Sequence, residues 1–409
     1  MKLLFLTQFF PPEIGASPRR MWEFVSILRS RGHRVVVVAE VPNYPKGTVF
    51  PGYKNLFPFQ KESYNGVCVY RTYIAGMKRK NLIERLASYF SYMFGAIFVS
   101  LFIRDVDVVF ATTPSPFNGL AGKIVGVLKR KSYILDVRDL WPEAAALVGR
   151  LESGMLLTTA LFLSRMIYRG AERISVAITY FADIISCFYG VERERIYDIP
   201  NFVYPEALGN KTIPEEEIRE RYGIKKEDFN ILYLGNIGIM QGVDILVDVA
   251  ERVKQEKDIT ITVIGEGVEK ERIRSLMHKS SPGNIRFFDG VPQGEVTSIL
   301  KAFDLYLVML AKNPVNEYAF PAKLVDAMFA GIPIVCAMDG YGRTLLQEHR
   351  AAYCVPAGDA DAMTEAILFL KGSRSVRDKL AYAGKRFIHE HRSRDVLSNR
   401  IIHFFEGNA

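Results

Sequence analysis

The stretch NEYAFPAKLVDAMFAGIPIV (residues 316–335) holds residues whose types and spacing suit the binding of a phosphate group. Pro321 stands just before an apolar run with helical spacing. Proline is tolerated in the first turn of a helix because its missing N–H group would be unpaired there. The free N–H groups and the positive dipole end of such a helix attract anions, and Lys323 in the same turn adds a cation. We therefore expect an anion site at this helix start.

Asp326 lies one turn further along the same predicted helix, on roughly the same face as Lys323. A carboxylate at that place can accept hydrogen bonds from two neighbouring hydroxyl groups. A nucleotide offers both a diphosphate and a ribose diol, so nucleotide binding is the functional interpretation. The structural alternative makes Asp326 an exposed helix residue and Lys323 its ion-pair partner. The spacing alone does not separate the two.

Two loops with glycines could approach a ligand with their backbones. GNIGIMQG (residues 235–242) follows a strand pattern and precedes a helical one. Its glycines permit close approach of a ligand to the backbone, or simply a tight turn. ITVIGEGVEKER places Gly265 in a G-x-G pair after another strand pattern. The third glycine of a dinucleotide fingerprint is missing there, so that signal is weak.

Strand-like and helical segments alternate along the chain and must position these loops. Short apolar runs such as RVVVVAE and ITITVIG alternate with longer helical patterns, which indicates parallel sheets covered on both faces. The alternation breaks at residues 200–216, where prolines and a glycine suggest a linker. We predict an α/β protein of two doubly wound parallel-sheet domains. The ligand is expected beyond the carboxyl ends of the strands, in a cleft between the domains.

Length and charge agree with two domains and an anionic partner. The chain has 409 residues, more than one core usually supports, and a formal net charge of +8. The basic residues are dispersed and form no recognised nucleic-acid module, so we expect no nucleic-acid partner. The four cysteines contain no C-x-x-C pair. That indicates neither a zinc site nor a disulfide frame, but buried thiols in a reducing compartment.

One segment has the composition of a membrane-associated helix. Residues 86–103 contain no charge and just reach the length of a spanning helix. Three interpretations stay open: a helix buried under the first sheet, a helix on a membrane surface, and a true span. For the surface helix, the cations near anionic lipid headgroups would be Lys78, Arg79 and Lys80.

Several longer motifs occur together and in order: FFPPEIGASPRR (9–20), PNYPKG (42–47), LDVRDLWPEA (135–144), YLGNIGIMQGVDIL (233–246) and DAMFAGIPIV (326–335). Together they resemble glycosyltransferase family 4, retaining enzymes of the GT-B fold. Within it they are similar to the transferases that add N-acetyl-fucosamine-type sugars during O-antigen and capsule synthesis. The resemblance extends over nearly the whole chain.

This resemblance implies a fold with two Rossmann-like domains that face a central cleft. We predict an acceptor-binding domain at residues 1–203 and a domain for the nucleotide sugar at residues 204–384. A C-terminal helix at residues 385–409 would pack back toward the first domain.

The resemblance also assigns residues near the start of the helix. The family signature has two glutamates separated by seven residues, and Asp326 stands at the second, which holds the ribose. The first contacts the donor sugar. Its place falls on Tyr318, with Glu317 one residue early, so both are candidates. The backbone that would face phosphate or sugar is that of Phe320, Pro321 and Ala322.

Further residues of the second predicted domain are implied to contact the diphosphate and the base. Many family members carry an arginine and a lysine in the glycine loop, where this chain has Asn236 and Gln241. Positive charge must then come from elsewhere, and Lys323 is one candidate. The strand end at Gly265 would lie near the nucleotide, and the backbone of Val291 would contact the base.

In the first predicted domain, Gly15 would approach the donor phosphates when the cleft closes. Arg138 stands where the family often has a histidine near the donor sugar, and it is the second candidate for the positive charge. Alternatively, Arg138 only forms a salt bridge with Asp136 or Asp139. Arg19 or Arg20, which follow Gly15 in its motif, could equally be a surface helix residue.

The resemblance implies transfer of a sugar, N-acetylated as in this subgroup, from a UDP-sugar to a polyprenol-diphosphate-linked saccharide. The site would be the cytoplasmic face of the membrane. Arg138, Glu317 and Lys323 are the catalytic candidates, stabilising the departing diphosphate and an oxocarbenium-like sugar. The DVD at residues 105–107 mimics a metal motif of a different fold and is interpreted as a turn, so we expect no metal or other cofactor. The alternatives are another GT-B enzyme, such as a nucleotide-sugar epimerase or a phosphorylase, and a non-catalytic nucleotide-binding protein at the membrane.

Overall fold

The computed structural model describes residues 1–13, 15–44, 47–79, 81–113, 115–143, 154–202, 213–280 and 283–407. They form two compact units. Unit 1 comprises Met1–Pro200 with Leu397–Ala409, and unit 2 comprises Asn201–Val396. The sequence placed the boundary at residues 203/204, whereas the first unit ends at Pro200. Most of the predicted linker at residues 200–216 lies outside the described residues.

Unit 1 is built on an eight-stranded sheet with the order β3-β4-β2-β1-β5-β6-β7-β8. All neighbouring strands are parallel except β3, which pairs antiparallel with β4 at one edge. The strands are β1 (Lys2–Leu6), β2 (Arg34–Glu40), β3 (Phe59–Tyr64), β4 (Val67–Thr72), β5 (Val108–Thr112), β6 (Ser132–Val137), β7 (Arg173–Val176) and β8 (Ile196–Asp198).

The helices of unit 1 cover this sheet. They are α1 (Ala16–Ser30), α2 (Leu82–Phe102), α3 (Pro116–Lys129), α4 (Met155–Gly170) and α5 (Thr179–Tyr189). The last helix of the chain, α14 (Arg394–Glu406), belongs to unit 1 from Leu397 onward. It buries Phe405 against the central strands, with its ring 5.4 Å from that of Phe5 and 5.1 Å from that of Phe110. This buried aromatic cluster is why the chain terminus is part of unit 1.

Unit 2 is built on a six-stranded, entirely parallel sheet with the order β11-β10-β9-β12-β13-β14. Its strands are β9 (Phe229–Leu234), β10 (Ile259–Ile264), β11 (Ile285–Phe288), β12 (Leu305–Met309), β13 (Ile334–Ala337) and β14 (Tyr353–Val355). Its helices are α6 (Glu215–Tyr222), α7 (Ile245–Arg252), α8 (Lys270–Ser280), α9 (Val296–Lys301), α10 (Ala322–Ala330), α11 (Gly340–Glu348), α12 (Ala360–Gly372) and α13 (Arg374–His391).

Successive residues of β9 point to opposite faces of this sheet. Leu232 joins one buried cluster with side chains of α9 and α10, while Ile231 and Tyr233 join another with α7 and α12. A strand buried on both faces is mostly apolar, which is why these strands appeared as nearly continuous apolar runs in the sequence. The predicted class, two α/β domains with doubly wound parallel sheets, is confirmed.

The hairpin of β3 and β4 is the part of the fold that the sequence analysis missed. FQKESY carries charges on a strand at the sheet edge, so it lacks the apolar run used to find the other strands. Asn65 and Gly66 join the strands with positive φ angles of 47° and 77°. An Asn-Gly pair with both residues in the left-handed region is the usual signal of a two-residue hairpin, and it was present in the sequence.

Helix α2 contains the uncharged segment 86–103 and has two unlike faces. Its buried face includes Tyr92, Ala96 and Val99, while Phe94 is 62% exposed and Phe102 is 61% exposed. The buried interpretation of this segment therefore holds for one face only. By length and apolar composition, α2 is the one helix among the described residues that could cross a membrane.

Candidate functional site

The start of α10 lies where the sequence predicted it. Pro321 takes the N-cap position with an extended backbone, and no side chain caps the helix. The N–H group of Leu324 donates to the carbonyl oxygen of Pro321 at 3.0 Å, and those of Ala322 and Lys323 at the helix start can face an anion. Further along, Leu324 and Val325 are buried in the core of unit 2, which fixes the helix on the sheet.

Lys323 brings the first turn of α10 to the glycine loop. Its Nζ atom donates a hydrogen bond to Tyr233 Oη at 3.0 Å and lies 4.5 Å from the centre of the Tyr233 ring. A Cβ atom built on Gly235 would lie 3.4 Å from this Nζ, and the φ angle of Gly235 is +148°. Because Gly235 has no side chain, the Lys323 ammonium lies directly beside the backbone of the glycine loop. Burial lowers the pKa of Lys323 to about 8.

Asp326 is buried, with 9% of its surface exposed, so the alternative of an exposed surface carboxylate is wrong. It accepts a hydrogen bond from Gln293 Nε2 at 3.4 Å. Gln293 follows Val291 closely, so the structure brings together the carboxylate assigned to the ribose and the segment assigned to the base. Sequence reasoning did not single out Gln293.

The glycine loop is held in place by its own polar groups. Asn236 Nδ2 donates to Gln241 Oε1 at 3.1 Å, and Tyr233 Oη donates to the carbonyl oxygen of Asn236 at 2.6 Å. A Cβ atom on Gly265 would lie 1.9 Å from the carbonyl oxygen of Gly235. Gly265 is therefore required for close packing of two strand ends, a role the sequence did not suggest. Its nearness to a nucleotide stays a prediction.

Glu317 and Tyr318 lie in a short 3-10 helix (Asn316–Tyr318) directly before α10. Glu317 is exposed and Tyr318 partly buried. Asn316 is buried and donates from Nδ2 to the carbonyl oxygens of Met240 at 2.9 Å and Ala311 at 2.8 Å. It ties this turn to the glycine loop, and no pattern in the sequence pointed to it. Which of Glu317 and Tyr318 contacts a sugar stays open.

The side chain of Phe320 is buried beside the start of α10. It is only 6% exposed and packs under Arg392, whose guanidinium lies 4.2 Å from the ring centre. Burial lowers the pKa of Arg392 to about 10. Only the backbone of Phe320 is thus available to a ligand, as the sequence analysis expected.

In unit 1, Gly15 and Arg138 follow the carboxyl ends of β1 and β6. Gly15 stands at the N-cap of α1 with a φ angle of 141°, and no side chain caps that helix. The N–H group of Arg138 donates to Thr113 Oγ1 at 3.2 Å. Its Nε atom is buried and finds no hydrogen-bond partner among the described residues.

Asp136 is bound to Arg20, which contradicts the alternative that Arg20 is a surface helix residue. The alternative that Arg138 only forms a salt bridge, with Asp136 or Asp139, stays open. Arg20 is 3% exposed and donates to Asp136 from Nε at 3.2 Å and from Nη2 at 2.7 Å. Burial alone would raise the pKa of Asp136, but Arg20 lowers it below its ordinary value. Arg20 is therefore not a surface residue. Arg138 does not share in the hydrogen bonds of this carboxylate, because Arg20, Thr112 and Ser175 occupy them.

A buried carboxylate links the two loops formed by FFPPEIGASPRR and PNYPKG. Glu13 is 4% exposed and accepts hydrogen bonds from the N–H groups of Phe10 at 3.2 Å, Asn43 at 3.0 Å and Tyr44 at 2.9 Å. Burial, together with the neighbouring Glu40, raises the pKa of Glu13 to about 8. Glu13 fixes the path of the chain just before Gly15.

Arg79, expected near lipid headgroups, is bound to polar groups of unit 1, and its place near a membrane stays a prediction. Its guanidinium donates to Glu40 Oε1 at 2.5 Å, Asn43 Oδ1 at 3.1 Å and Ser88 Oγ at 3.0 Å. Glu40 is fully buried, so it requires this positive partner. Lys78 is exposed, and Lys80 lies outside the described residues.

Metal ligands and thiols complete the inventory. No cluster of three His, Cys, Asp or Glu side chains that could hold a metal occurs in the described part of the chain. In the DVD segment, Asp107 accepts a hydrogen bond from the N–H group of Lys2 at 2.7 Å, and Asp105 has a φ angle of 54°, as expected for a turn. Cys336 is buried as predicted, but Cys187 is exposed.

Comparison with known proteins agrees with this geometry. Residues 214–387 match the family model described as Glycosyl transferases group 1. The putative colanic acid biosynthesis glycosyl transferase WcaI of Escherichia coli (strain K12) is 22% identical over 379 residues, which cover 90% of this chain and 91% of that protein. A phosphatidyl-myo-inositol mannosyltransferase of Mycobacterium leprae (strain TN) is 26% identical over 215 residues, covering 52% of this chain and 54% of that protein. The crystal structure of Anabaena HepE in complex with UDP covers 100% of both chains with a TM-score of 0.72 and 14% identity.

The likeness to HepE shows a shared fold, which is the GT-B fold predicted from the sequence motifs. The family match falls on unit 2 and includes α10 and the glycine loop. Together with the relative that spans most of the chain, it supports a glycosyltransferase of group 1.

Proposed function

We propose that the chain is a retaining, family 4 glycosyltransferase that moves a sugar from a UDP-sugar to a lipid-linked saccharide during synthesis of a cell-surface polysaccharide. The sugar is N-acetylated and the carrier lipid is a polyprenol diphosphate, as the resemblance to the N-acetyl-fucosamine-type transferases implies. Two comparisons support the proposal: WcaI is named for colanic acid biosynthesis, and HepE was solved with UDP.

The observation that carries the proposal is the convergence of three groups in unit 2. The uncapped first turn of α10, the ammonium of Lys323 and the bare backbone at Gly235 lie together. N–H groups and one cation suit a diphosphate. Asp326, one turn further in and beside Gln293, suits the ribose hydroxyl groups. Both parts of a nucleoside diphosphate would then have partners within the first two turns of α10.

In the reaction, the bond between the anomeric carbon and the diphosphate oxygen breaks, and UDP leaves with the electron pair. An acceptor hydroxyl oxygen forms the new bond to that carbon on the face from which UDP leaves, and its proton passes to the leaving diphosphate. The N–H groups of α10 and Lys323 stabilise the negative charge on the leaving diphosphate, so the proposal needs no metal. Glu317 or Tyr318 contacts the donor sugar. Arg138 and Gly15 are the contacts assigned to unit 1, which binds the acceptor.

We also propose that the protein works on the cytoplasmic face of a membrane, with the outer face of α2 in the headgroup region. Phe94, Phe98 and Phe102 would enter the lipid interface, as large apolar side chains on one side of a helix do. One relative is named for a phosphatidyl-myo-inositol substrate, which agrees with work at a lipid surface. Replacing Phe94 and Phe98 by serine should weaken binding to vesicles and leave UDP binding unchanged.

The experiment that tests the proposal is a panel of labelled nucleotide sugars incubated with the full chain and membranes that contain lipid-linked saccharides. We expect one UDP-sugar to label the lipid fraction, with UDP released in equal amount. Lys323→Met should abolish transfer, while Lys301→Met, which removes an exposed lysine of the same unit, should not. Conversion of one nucleotide sugar into another without lipid would indicate an epimerase. Absence of transfer from every donor tested, with no UDP binding, would refute an enzyme of this class.

A further inference from the structure

Unit 1 contains a basic pocket at the amino ends of its strands, whereas Arg138 lies at the carboxyl end of β6. A cavity of about 370 Å³ opens where β6 and β7 begin and just before β8, between the carboxyl ends of α3 and α4. Arg138 follows the other end of β6, and at ~3.3 Å per residue this strand separates the two places by roughly 20 Å. The pocket is therefore distinct from the loops assigned to donor and acceptor.

The walls of the pocket carry far more positive than negative charge. Its lining includes a single carboxylate, Glu172, and four cations, which are Lys123, Arg130, Lys131 and Arg195. The carboxylate is already engaged, because Glu172 Oε1 lies 3.2 Å from Arg173 Nη2. Four cations around one cavity repel one another, so a cluster of this kind favours a bound anion.

Two of the four cations have a structural explanation. Lys123 Nζ donates to the carbonyl oxygen of Met166 at 2.8 Å. Arg195 donates to the carbonyl oxygens of Arg169 and Ala171. These carbonyl groups lie at the end of α4, where helix carbonyls lack partners in the helix and the dipole attracts cations. Lys123 and Arg195 thus stabilise the end of this helix.

The other two cations have no such role. Arg130 ends α3 in a left-handed conformation with a φ angle of 54°, and Lys131 follows it. Both side chains are exposed, and neither forms a hydrogen bond or ion pair with any described residue. Their charges do not serve the fold of unit 1 and remain free to meet a ligand in the pocket.

Apolar side chains adjoin the pocket on one side. Val127, in the last turn of α3, lines the cavity and is 69% exposed, and Leu128 beside it is 57% exposed. Lys129 Nζ donates to the carbonyl oxygen of Ile103 at 2.6 Å, which joins the end of α3 to the end of α2. Phe102, next to Ile103 at the end of α2, is also exposed.

We propose that this pocket binds a phosphate group, and that in the cell this group belongs to the headgroup of an anionic phospholipid. The free cations meet the phosphate, while the apolar rim lies at the depth of the glycerol and the first acyl carbons. The site goes beyond the proposed transferase reaction: it concerns neither the UDP-sugar nor the acceptor. It would make membrane attachment depend on anionic lipid.

The test compares two double variants of the full chain. Arg130→Glu with Lys131→Glu alters the free cations of the pocket. Lys225→Glu with Lys226→Glu makes the same change in charge at two exposed lysines of unit 2. Binding is measured by flotation with vesicles of phosphatidylcholine alone and with phosphatidylglycerol added. A cation near an anionic surface contributes ~1 kcal/mol, so the loss of two alone should weaken binding to the anionic vesicles roughly 30-fold, and the two added carboxylates should weaken it further.

The control double variant should bind both kinds of vesicle like the wild type. Glu172→Gln should strengthen binding to anionic vesicles, because it removes the one negative charge of the lining. A second arm measures inorganic phosphate and glycerol phosphate by calorimetry. The ligand would be a soluble phosphate and not a lipid if the pocket variant lost binding of inorganic phosphate or glycerol phosphate but bound vesicles as the wild type does.

Equal behaviour of the pocket variant and the control variant in both arms would overturn the proposal. Unchanged thermal unfolding and unchanged UDP affinity of every variant show that the chain is folded. UDP affinity also separates this inference from the proposed function, because a failure of either leaves the other result intact.

Discussion

The pKa of Lys323 makes UDP affinity depend on pH in a way that the structure determines. Burial lowers this pKa to about 8 in the free protein, and the bound diphosphate would favour the charged form. Below the pKa the ammonium is present and affinity is highest. As pH rises through 8, a growing share of the protein must take up a proton before it binds well. The apparent Kd therefore rises with pH.

The size of the effect follows from the protonated fraction. Affinity falls in proportion to the competent fraction, which drops from roughly three-quarters at pH 7.5 to roughly one-tenth at pH 9 for a pKa near 8. The Kd of UDP should thus rise about eightfold over that interval. The charge on the diphosphate of UDP changes little there, because the second pKa of a phosphate monoester is about 6.

Calorimetry with UDP from pH 7.0 to pH 9.5 measures this dependence. Repeating the titration in buffers of different ionisation enthalpy gives the number of protons taken up on binding. This number should approach one per UDP near pH 9. Lys323→Met should bind UDP roughly 10- to 150-fold more weakly at pH 7.5, since a hydrogen bond to a charged group contributes about 1.5–3 kcal/mol. Its Kd should not change with pH. A flat Kd in the wild type, or the same slope in Lys323→Met, would refute the reasoning.

Three predictions concern stability and are checked by urea unfolding. Gly265→Ala should destabilise unit 2 by more than ~1 kcal/mol, because the new Cβ atom would lie 1.9 Å from a backbone oxygen. The control variant Gly372→Ala, whose Cβ atom would meet nothing within 4 Å, should not destabilise it. Equal effects of the two variants would contradict the packing role of Gly265. Arg20→Met should destabilise unit 1 by about 3–5 kcal/mol, since it leaves the charge of Asp136 buried and unpaired, and a loss below 1 kcal/mol would argue against that pair. The pKa of Glu13, raised to about 8, means that the folded state keeps a proton that the unfolded state releases above its ordinary pKa; stability should fall between pH 5 and pH 8 and then level off. Glu13→Gln should show a smaller fall over that interval, and an unchanged pH profile would rule out this assignment.

Much of the fold could be predicted because local patterns carry it. A strand covered on both faces is apolar at nearly every position, as in β1 after Lys2 and in β12. The start of α10 could be predicted from Pro321 for a similar reason. Proline is favoured where a backbone N–H group would have no partner, and this condition depends only on the position within the helix. The same applies to the glycine loop, whose conformation depends on residues next to one another in the chain.

The sequence did not predict contacts between distant residues. Arg20 and Asp136 are 116 residues apart, and nothing near either one indicates the pair. Arg79 looked like part of a basic cluster, yet it pairs with Glu40, the last residue of β2. Asn316 and Gln293 also matter through partners that only the folded chain brings near. Polar residues are ambiguous in a sequence because burial and pairing, not residue type, decide what they do.

The central claim is tested most directly by a crystal structure of the protein with UDP. The account predicts diphosphate oxygens within hydrogen-bond distance of the N–H groups of the first turn of α10 and of Lys323 Nζ. It also predicts both ribose hydroxyl groups on the carboxylate of Asp326. UDP bound away from α10, or a ribose that does not touch Asp326, would contradict it.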